Sequence, residues 1–229
     1  MNVVAPSRLS VERLCGADAA PALALRRAVF EGEMGAEADA DAFDARAEHL
    51  VLRDPGQGGA PVVGTLRMLM GAAYTEREFD LTPLHVDPRP LAEIGRVCLA
   101  PAQRGGSAGL LLLSAALQRL AERGVGLVVG TGSFPGADAA LHMPALRALR
   151  DAALAPSALR PRPRGPEAIA VEGAGDPRDM RAVPPLLKTY LRAGAMVGDG
   201  AWCDRAFDTV DVCLVLEMDR LRLPGTRRA

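Results

Sequence analysis

The segment EIGRVCLAPAQRGGSAG, residues 93–109, concentrates residue types that do chemistry. A carboxylate, Glu93, and a guanidinium, Arg96, stand among apolar neighbours. Seven positions after Arg96 the chain reads Gln103-Arg104-Gly105-Gly106-Ser107-Ala108. Backbone N–H groups at the start of a helix point outward and favour an anion, and glycines let a phosphate approach closely. No Gly-Lys-Ser/Thr follows, so the bend is not a Walker loop, and G-x-G-x-x-G is absent, so it is not a dinucleotide fingerprint. The bend is a candidate phosphate cradle. Glu93 is either a base or amine-binding carboxylate, or one half of a structural ion pair with Arg96 or Arg67.

These residues need elements to hold them. Residues 92–100 read as a strand, and 107–123 as a helix, with Ser107 at its N-cap and Gly124 as its stop. Residues 19–34 read as a helix, with Leu23, Arg26, Arg27 and Phe30 at helical spacing and Gly35 ending it. An acidic loop, EADADAFDARAE, leads into two apolar runs, HLVLRD and APVVGTLRML, separated by PGQGG: a hairpin. VGLVVGTGSF is a continuous apolar strand of the kind covered on both faces. A helix at 137–150, a short helix in PPLLKTYLRAGA with prolines in its first turn, and a last strand in TVDVCLVLEM complete the pattern. The order predicts α/β: a single domain over 1–229, with a mixed β-sheet, helices on both faces and an insertion at 155–180.

Bulk properties exclude several classes. The 229 residues carry a net charge of −1 and only 3% aromatics, which argues against nucleic-acid binding. The four cysteines form no C-x-x-C pair, and the longest apolar run falls short of the roughly 20 residues a spanning helix needs. With no secretory pattern at its start, the protein is expected in the cytoplasm. His49, His85 and His142 have no metal-ligand spacing, so no metal is expected. Neither Ser133 nor Cys98 has a recognisable base partner for a covalent route.

The bend resembles the Q/R-x-x-G-x-G/A turn of the Gcn5-related N-acyltransferase superfamily. LRRAVFEGEMGAEADADAFDARAEHLVL resembles the N-terminal segment of bacterial ornithine-lipid N-acyltransferases, and its Arg26, Phe30, Asp41 and Asp44 repeat a layout of the related acyl-homoserine-lactone synthases. VVGTLRML, EFDLTPL, EIGRVCLAPAQRGG, GTGSFPGAD and PPLLKTYLRAGAMVGDGAWCDRAFDTVDVCLVL continue the match in order, over roughly residues 22–220. The chain departs from the lactone synthases in lacking their tryptophan after the Phe30 position, and it has Ala108 where many superfamily members have glycine.

The resemblance implies a Gcn5-related fold and transfer of a 3-hydroxyacyl group from acyl carrier protein to the α-amine of L-ornithine, giving lyso-ornithine lipid. It implies no tightly bound cofactor, the donor being an acyl-phosphopantetheine on acyl carrier protein or coenzyme A. In that scheme Gln103, Arg104, Gly105, Gly106, Ser107 and Ala108 hold the arm's phosphate, and N–H groups near Val97 and Cys98 meet the oxyanion. Glu93 is the candidate base and Tyr190 a candidate proton donor. Arg26, Phe30, Asp41, Asp44, Arg67 and Arg96 form the acceptor side, either in contact with ornithine or as a buried network that places a loop. Arg160, Arg162, Arg164, Arg220, Arg222, Arg227 and Arg228 are candidates for contact with an acidic carrier protein or the anionic inner face of a membrane. Two further readings stay open: another acceptor or an acyl-coenzyme A donor, including lactone-type synthesis, and a non-catalytic acyl-carrier or lipid-binding module.

Overall fold

The predicted hairpin is present, with a third strand laid along it. In the computed structural model, which describes residues 9–34, 39–71 and 74–222, the chain begins with β1 (Ser10–Cys15), α1 (Ala20–Met34), β2 (Glu48–Arg53) and β3 (Val62–Met70). It continues through β4 (Phe79–Asp80), α2 (Thr82–Val86), β5 (Leu91–Leu99), α3 (Ala108–Glu122), β6 (Leu127–Pro135) and α4 (Ala139–Ala153). The remainder is β7 (Arg162–Pro163), β8 (Ala168–Ile169), α5 (Pro185–Arg192), β9 (Met196–Val197), β10 (Ala201–Asp204) and β11 (Thr209–Glu217). Gly35, the expected helix stop, and Arg227 and Arg228 lie outside the described residues.

The chain divides into two compact units. One takes the described residues of Met1–Leu69 with Ile94–Leu120; the other takes those of Met70–Glu93 with Ala121–Ala229. In the first unit β2 pairs antiparallel with β1 on one side and β3 on the other, setting His49 opposite both Leu14 and Arg67. Sequence reading misses β1, because its exposed SVERLC has no apolar alternation; it forms by pairing with β2 rather than by burying a face. Leu14, Ala22 and Val51 form a small core. The Ala100 N–H donates to Val63 O at 2.9 Å, joining the chain just past β5 to β3. Gly64 permits close packing there: a Cβ on it would lie 2.7 Å from Leu99 Cδ2. α3 buries Ala108, Leu112, Leu113, Ala116, Leu117 and Leu120, one stripe at helical spacing.

The second unit has a mixed sheet. The first three residues of β5 pair parallel with β6, from Leu91–Leu127 to Glu93–Val129. β6 and β11 form a nine-pair antiparallel ladder, and β10 extends it. Both central strands carry continuous apolar runs, Leu127–Val129 in β6 and Val212–Leu216 in β11, as strands covered on two faces do. Phe79, Leu81, Leu84, Leu127, Val129, Leu159, Cys213 and Val215 form the core. Gly132 leaves room for Leu187 of α5, whose Pro185 stands in the first turn as expected. The proline-rich segment after Ala155 is tied down by polar contacts: Arg160 Nε donates to Ala155 O at 2.8 Å, Trp202 Nε1 to Arg164 O at 3.2 Å, and the Gly175 N–H to Asp151 Oδ2 at 2.7 Å. Among the described residues no helix is long and apolar enough to cross a membrane.

Candidate active site

The first unit gathers three arginines from three elements onto one acidic loop. Arg26 of α1 is fully buried; its Nε lies 2.5 Å from Asp39 Oδ2, and its Nη1 2.6 Å from Asp44 Oδ1. Arg67 of β3, also buried, places Nη1 2.7 Å from Asp41 Oδ1 and 3.0 Å from Asp44 Oδ1. Arg96 of β5 lies 3.1 Å from Asp39 Oδ1 through Nε and 3.5 Å from Asp41 Oδ2 through Nη2. Three positive charges thus meet three negative ones. Burial alone would push the Asp44 carboxyl up, but bonds from Arg26, the Asp41 N–H and Arg67 outweigh it and hold the group at about 2. The loop reinforces itself: the Asp41 N–H donates to Asp44 Oδ2, and the Phe43 N–H to Asp41 Oδ1.

Arg26, Asp41, Asp44, Arg67 and Arg96, singled out from sequence, therefore come together. Asp39 belongs to the same network and was not singled out. It lies in the same acidic run, and two buried arginines with half-buried Arg96 call for a third carboxylate. Phe30 is buried on α1 one turn beyond Arg26, while Phe43, also missed, presents its ring to the guanidinium carbons of Arg46 at 4.9 Å and Arg67 at 5.9 Å.

The strand carrying Arg96 is bent at that residue. Arg96 has φ +52, a left-handed conformation costing a non-glycine residue about 1–2 kcal/mol. Such a bend re-aims the backbone of the following residues, half-buried Val97 and buried Cys98. Five residues on lies the glycine bend. Gly105 has φ +76, a conformation only glycine adopts cheaply. Gly106 has ordinary φ, and a Cβ on it would meet nothing within 4 Å among the described residues. The Ser107 carbonyl accepts from the Leu111 N–H at 2.9 Å, so Ser107 stands at the N-cap position of α3, where first-turn N–H groups have no intrahelical acceptor. Arg104 Nε donates to Leu99 O at 3.2 Å, pinning the bend to the end of β5; Ala108 is buried, and Gln103 is half-buried.

The second unit holds Glu93 and Tyr190. Glu93 is 2% exposed, and its Oε2 accepts from the N–H groups of Tyr74 and Thr75 at 3.0 Å each. Burial raises the pKa of half-buried Tyr190 on α5, which keeps its phenol protonated. Near Glu93 the Cys213 thiol is pushed well up by burial and by the charges of Glu78 and Glu93. A further cluster went unread in the sequence: buried Glu78, Asp204 and Asp211, 133 positions apart at their extremes, place carboxylate oxygens within 4.8 Å of one another. Asp204 also caps its own turn, accepting from Ala206 and Phe207 N–H groups, and Asp211 accepts from Thr209 Oγ1. No local pattern announces such a grouping, since β4, β10 and β11 must first pack.

A family model described as an acetyltransferase (GNAT) domain matches residues 25–114, the span holding the arginine–aspartate network, β5 and the glycine bend. Among solved structures, FeeM, an N-acyl amino acid synthase from uncultured soil microbes, superposes with a TM-score of 0.56 over 93% of this chain and 92% of its own at 12% identity. A Lactobacillus plantarum protein provisionally assigned as an N-acetyltransferase gives 0.54 over 92% and 98% at 20% identity. Both likenesses show the Gcn5-related α/β fold that the order of elements and the family resemblance predicted. The L-ornithine N(alpha)-acyltransferase of Rhodobacter capsulatus is 37% identical over 215 residues, 84% of this chain and 83% of its own length. The Brucella abortus protein of the same name is 33% identical over 86% and 79%. Identity at that level over most of both partners, together with the GNAT architecture, means that the chain belongs to the L-ornithine N(alpha)-acyltransferase family.

Proposed function

We propose that this protein transfers a 3-hydroxyacyl group from the phosphopantetheine arm of acyl carrier protein to the α-amine of L-ornithine, giving lyso-ornithine lipid. The observation that carries the acceptor is the 37% identity to a relative bearing that substrate in its name. The donor is argued from the glycine bend: Gly105 turns the backbone, Gly106 leaves open space where a Cβ would stand, and the α3 start offers its N–H groups. Gln103, Arg104, Ser107 and Ala108 complete the cradle for the arm's phosphate.

In the reaction the ornithine nitrogen attacks the thioester carbon, the C–S bond breaks, and the thiolate leaves. The ammonium must first lose a proton, and Glu93 is the carboxylate proposed to take it, directly or through water. N–H groups at Val97 and Cys98, re-aimed by the Arg96 bend, would receive the oxyanion. Tyr190 would return a proton to the thiolate, and the second proton shed by the acylated nitrogen would neutralise the tyrosinate; because burial raises the tyrosine's pKa, the transfer is uphill until that happens. Since Asp41 and Asp44 are committed to arginines, the acceptor-side network with Phe30 acts by placing its loop rather than by gripping the δ-ammonium. Exposed Arg162, Arg164, Arg220 and Arg222 are proposed to meet the acidic carrier protein, whose product would then be released beside the inner face of the membrane.

The test is incubation with 3-hydroxyacyl carrier protein, or with the matching acyl-coenzyme A, and a panel of amino acids, read by mass spectrometry. Acylated ornithine from the carrier-bound donor is expected. Acylation of a different amino acid, or turnover with coenzyme A alone, would replace the acceptor or the donor in this reading.

A further inference from the structure

One buried group touches the arginine–aspartate network without belonging to its charge balance. His49 of β2 is fully buried. Its Nε2 lies 3.3 Å from the Asp44 carbonyl oxygen and 3.9 Å from Asp44 Oδ1, while its Nδ1, also buried, has no hydrogen-bond partner among the described residues. A carbonyl only accepts, so the proton of a neutral ring must sit on Nε2, leaving Nδ1 as a bare lone pair. The reverse tautomer would bury an unanswered donor and set two lone pairs against each other.

The surroundings also fix its charge. From α1 comes Arg26, from β3 the cross-strand partner Arg67, from the acidic loop Asp44, and from β1 only apolar Leu14. Burial lowers the imidazole's pKa first, and the cations Arg26 and Arg67 lower it further against the pull of Asp44. A proton on His49 would add a fourth cation where three already match three carboxylates, next to the Asp44 that Arg26 and Arg67 share.

We propose that neutral His49 is a positioning residue for the acceptor side: by donating from Nε2 to the Asp44 carbonyl it holds the Asp39–Asp44 loop in place, and protonation releases that loop. In activity terms this rests on the proposed ornithine acylation. As the pH falls below the ordinary imidazole value, acceptor binding then weakens through loop release as well as through protonation of the amine itself.

Gln places an amide N–H near the position of Nε2, whereas Asn places one near Nδ1, which has no partner to restore. His49→Gln is expected to keep most of the acceptor affinity at pH 8, and His49→Asn and His49→Leu to raise ornithine KM by about tenfold with donor KM little changed. The ratio of kcat/KM for His49→Gln over the parent protein cancels the ionisation of ornithine, and it is expected to rise by about threefold between pH 8 and pH 5.5. Equal behaviour of Gln and Asn, or a flat ratio, overturns the proposal. Independently of turnover, the three histidines allow the His49 Cε1–H resonance to be assigned by its loss in His49→Gln, and its midpoint is expected below the ordinary imidazole value. A His49 midpoint at or above 6.5 overturns the inference. If no ornithine is acylated, the proposed function fails, and this titration alone decides the role of His49.

Discussion

Arg67 Nη1 and Arg26 Nη1 converge on one oxygen, Asp44 Oδ1, at 3.0 and 2.6 Å. One carboxylate thus joins a helix to a strand 41 residues apart in sequence. Replacing it removes one of the two carboxylates that each buried guanidinium meets, leaving Arg26 to Asp39 and Arg67 to Asp41. Asp44→Asn is expected to cost about 3–5 kcal/mol, the penalty for breaking a buried ion pair from one side. Urea unfolding measures this, and a loss below about 1 kcal/mol would mean that water satisfies the arginines.

The same residue shapes acid stability. The Asp44 carboxyl sits at about 2 in the folded protein against 3.8 unfolded. A depressed carboxylate contributes stability above its unfolded value and loses it as pH falls through the folded one. Its contribution, about 2 kcal/mol, should be complete near pH 5 and gone by about pH 2. His49 works at higher pH: held neutral while its unfolded form takes a proton, it lowers stability as pH drops below 6.5. Melting temperatures of His49→Gln and the parent protein, compared between pH 7.5 and 5.5, should show the variant losing less.

At Arg96 the usual order of two substitutions should invert. Both Arg96→Ala and Arg96→Gly lose the contacts to Asp39 and Asp41, but only glycine relieves the backbone at φ +52. The glycine variant should be the more stable by about 1 kcal/mol. An alanine variant that is equally stable would show that the bend relaxes once the guanidinium is gone.

The two glycines of the bend separate folding from binding. Gly105→Ala, at φ +76, should destabilise by about 1 kcal/mol or more. The Gly106→Ala methyl meets nothing within 4 Å among the described residues, so its melting temperature should stay near the parent value while the donor KM rises, because the new methyl stands where a phosphate would approach. Unchanged donor KM in Gly106→Ala would place the phosphate elsewhere.

Glu93 is tested by Glu93→Gln. Its Oε2 accepts two backbone N–H bonds that a glutamine oxygen can keep, so folding should survive. As a base it should lose about 10²–10⁴-fold in kcat. A normal kcat across pH would reduce Glu93 to an anchor for the Tyr74–Thr75 turn.

Much of this protein was legible in one dimension. The stripe of α3, the apolar runs of β6 and β11, the β2–β3 hairpin and the glycine bend each follow from local periodicity or from a conformation only one residue type adopts, and both causes act within a few positions. Edge strand β1 escaped, because an exposed strand paired on one side carries little pattern.

The sequence by itself determined the longer helices, the strands β2, β3, β5, β6 and β11, the bend and the residues of the charged network except Asp39. Only the tertiary structure decided who pairs with whom: that Arg96 turns to Asp39 and Asp41, that Asp44 serves two arginines, that His49 stays neutral beneath them, and that Glu78 meets Asp204 and Asp211. Backbone conformation is set by neighbours in the chain, whereas the strength of a charge pair, and the protonation state of a group beside it, depends on distance and burial that exist only once the chain has folded.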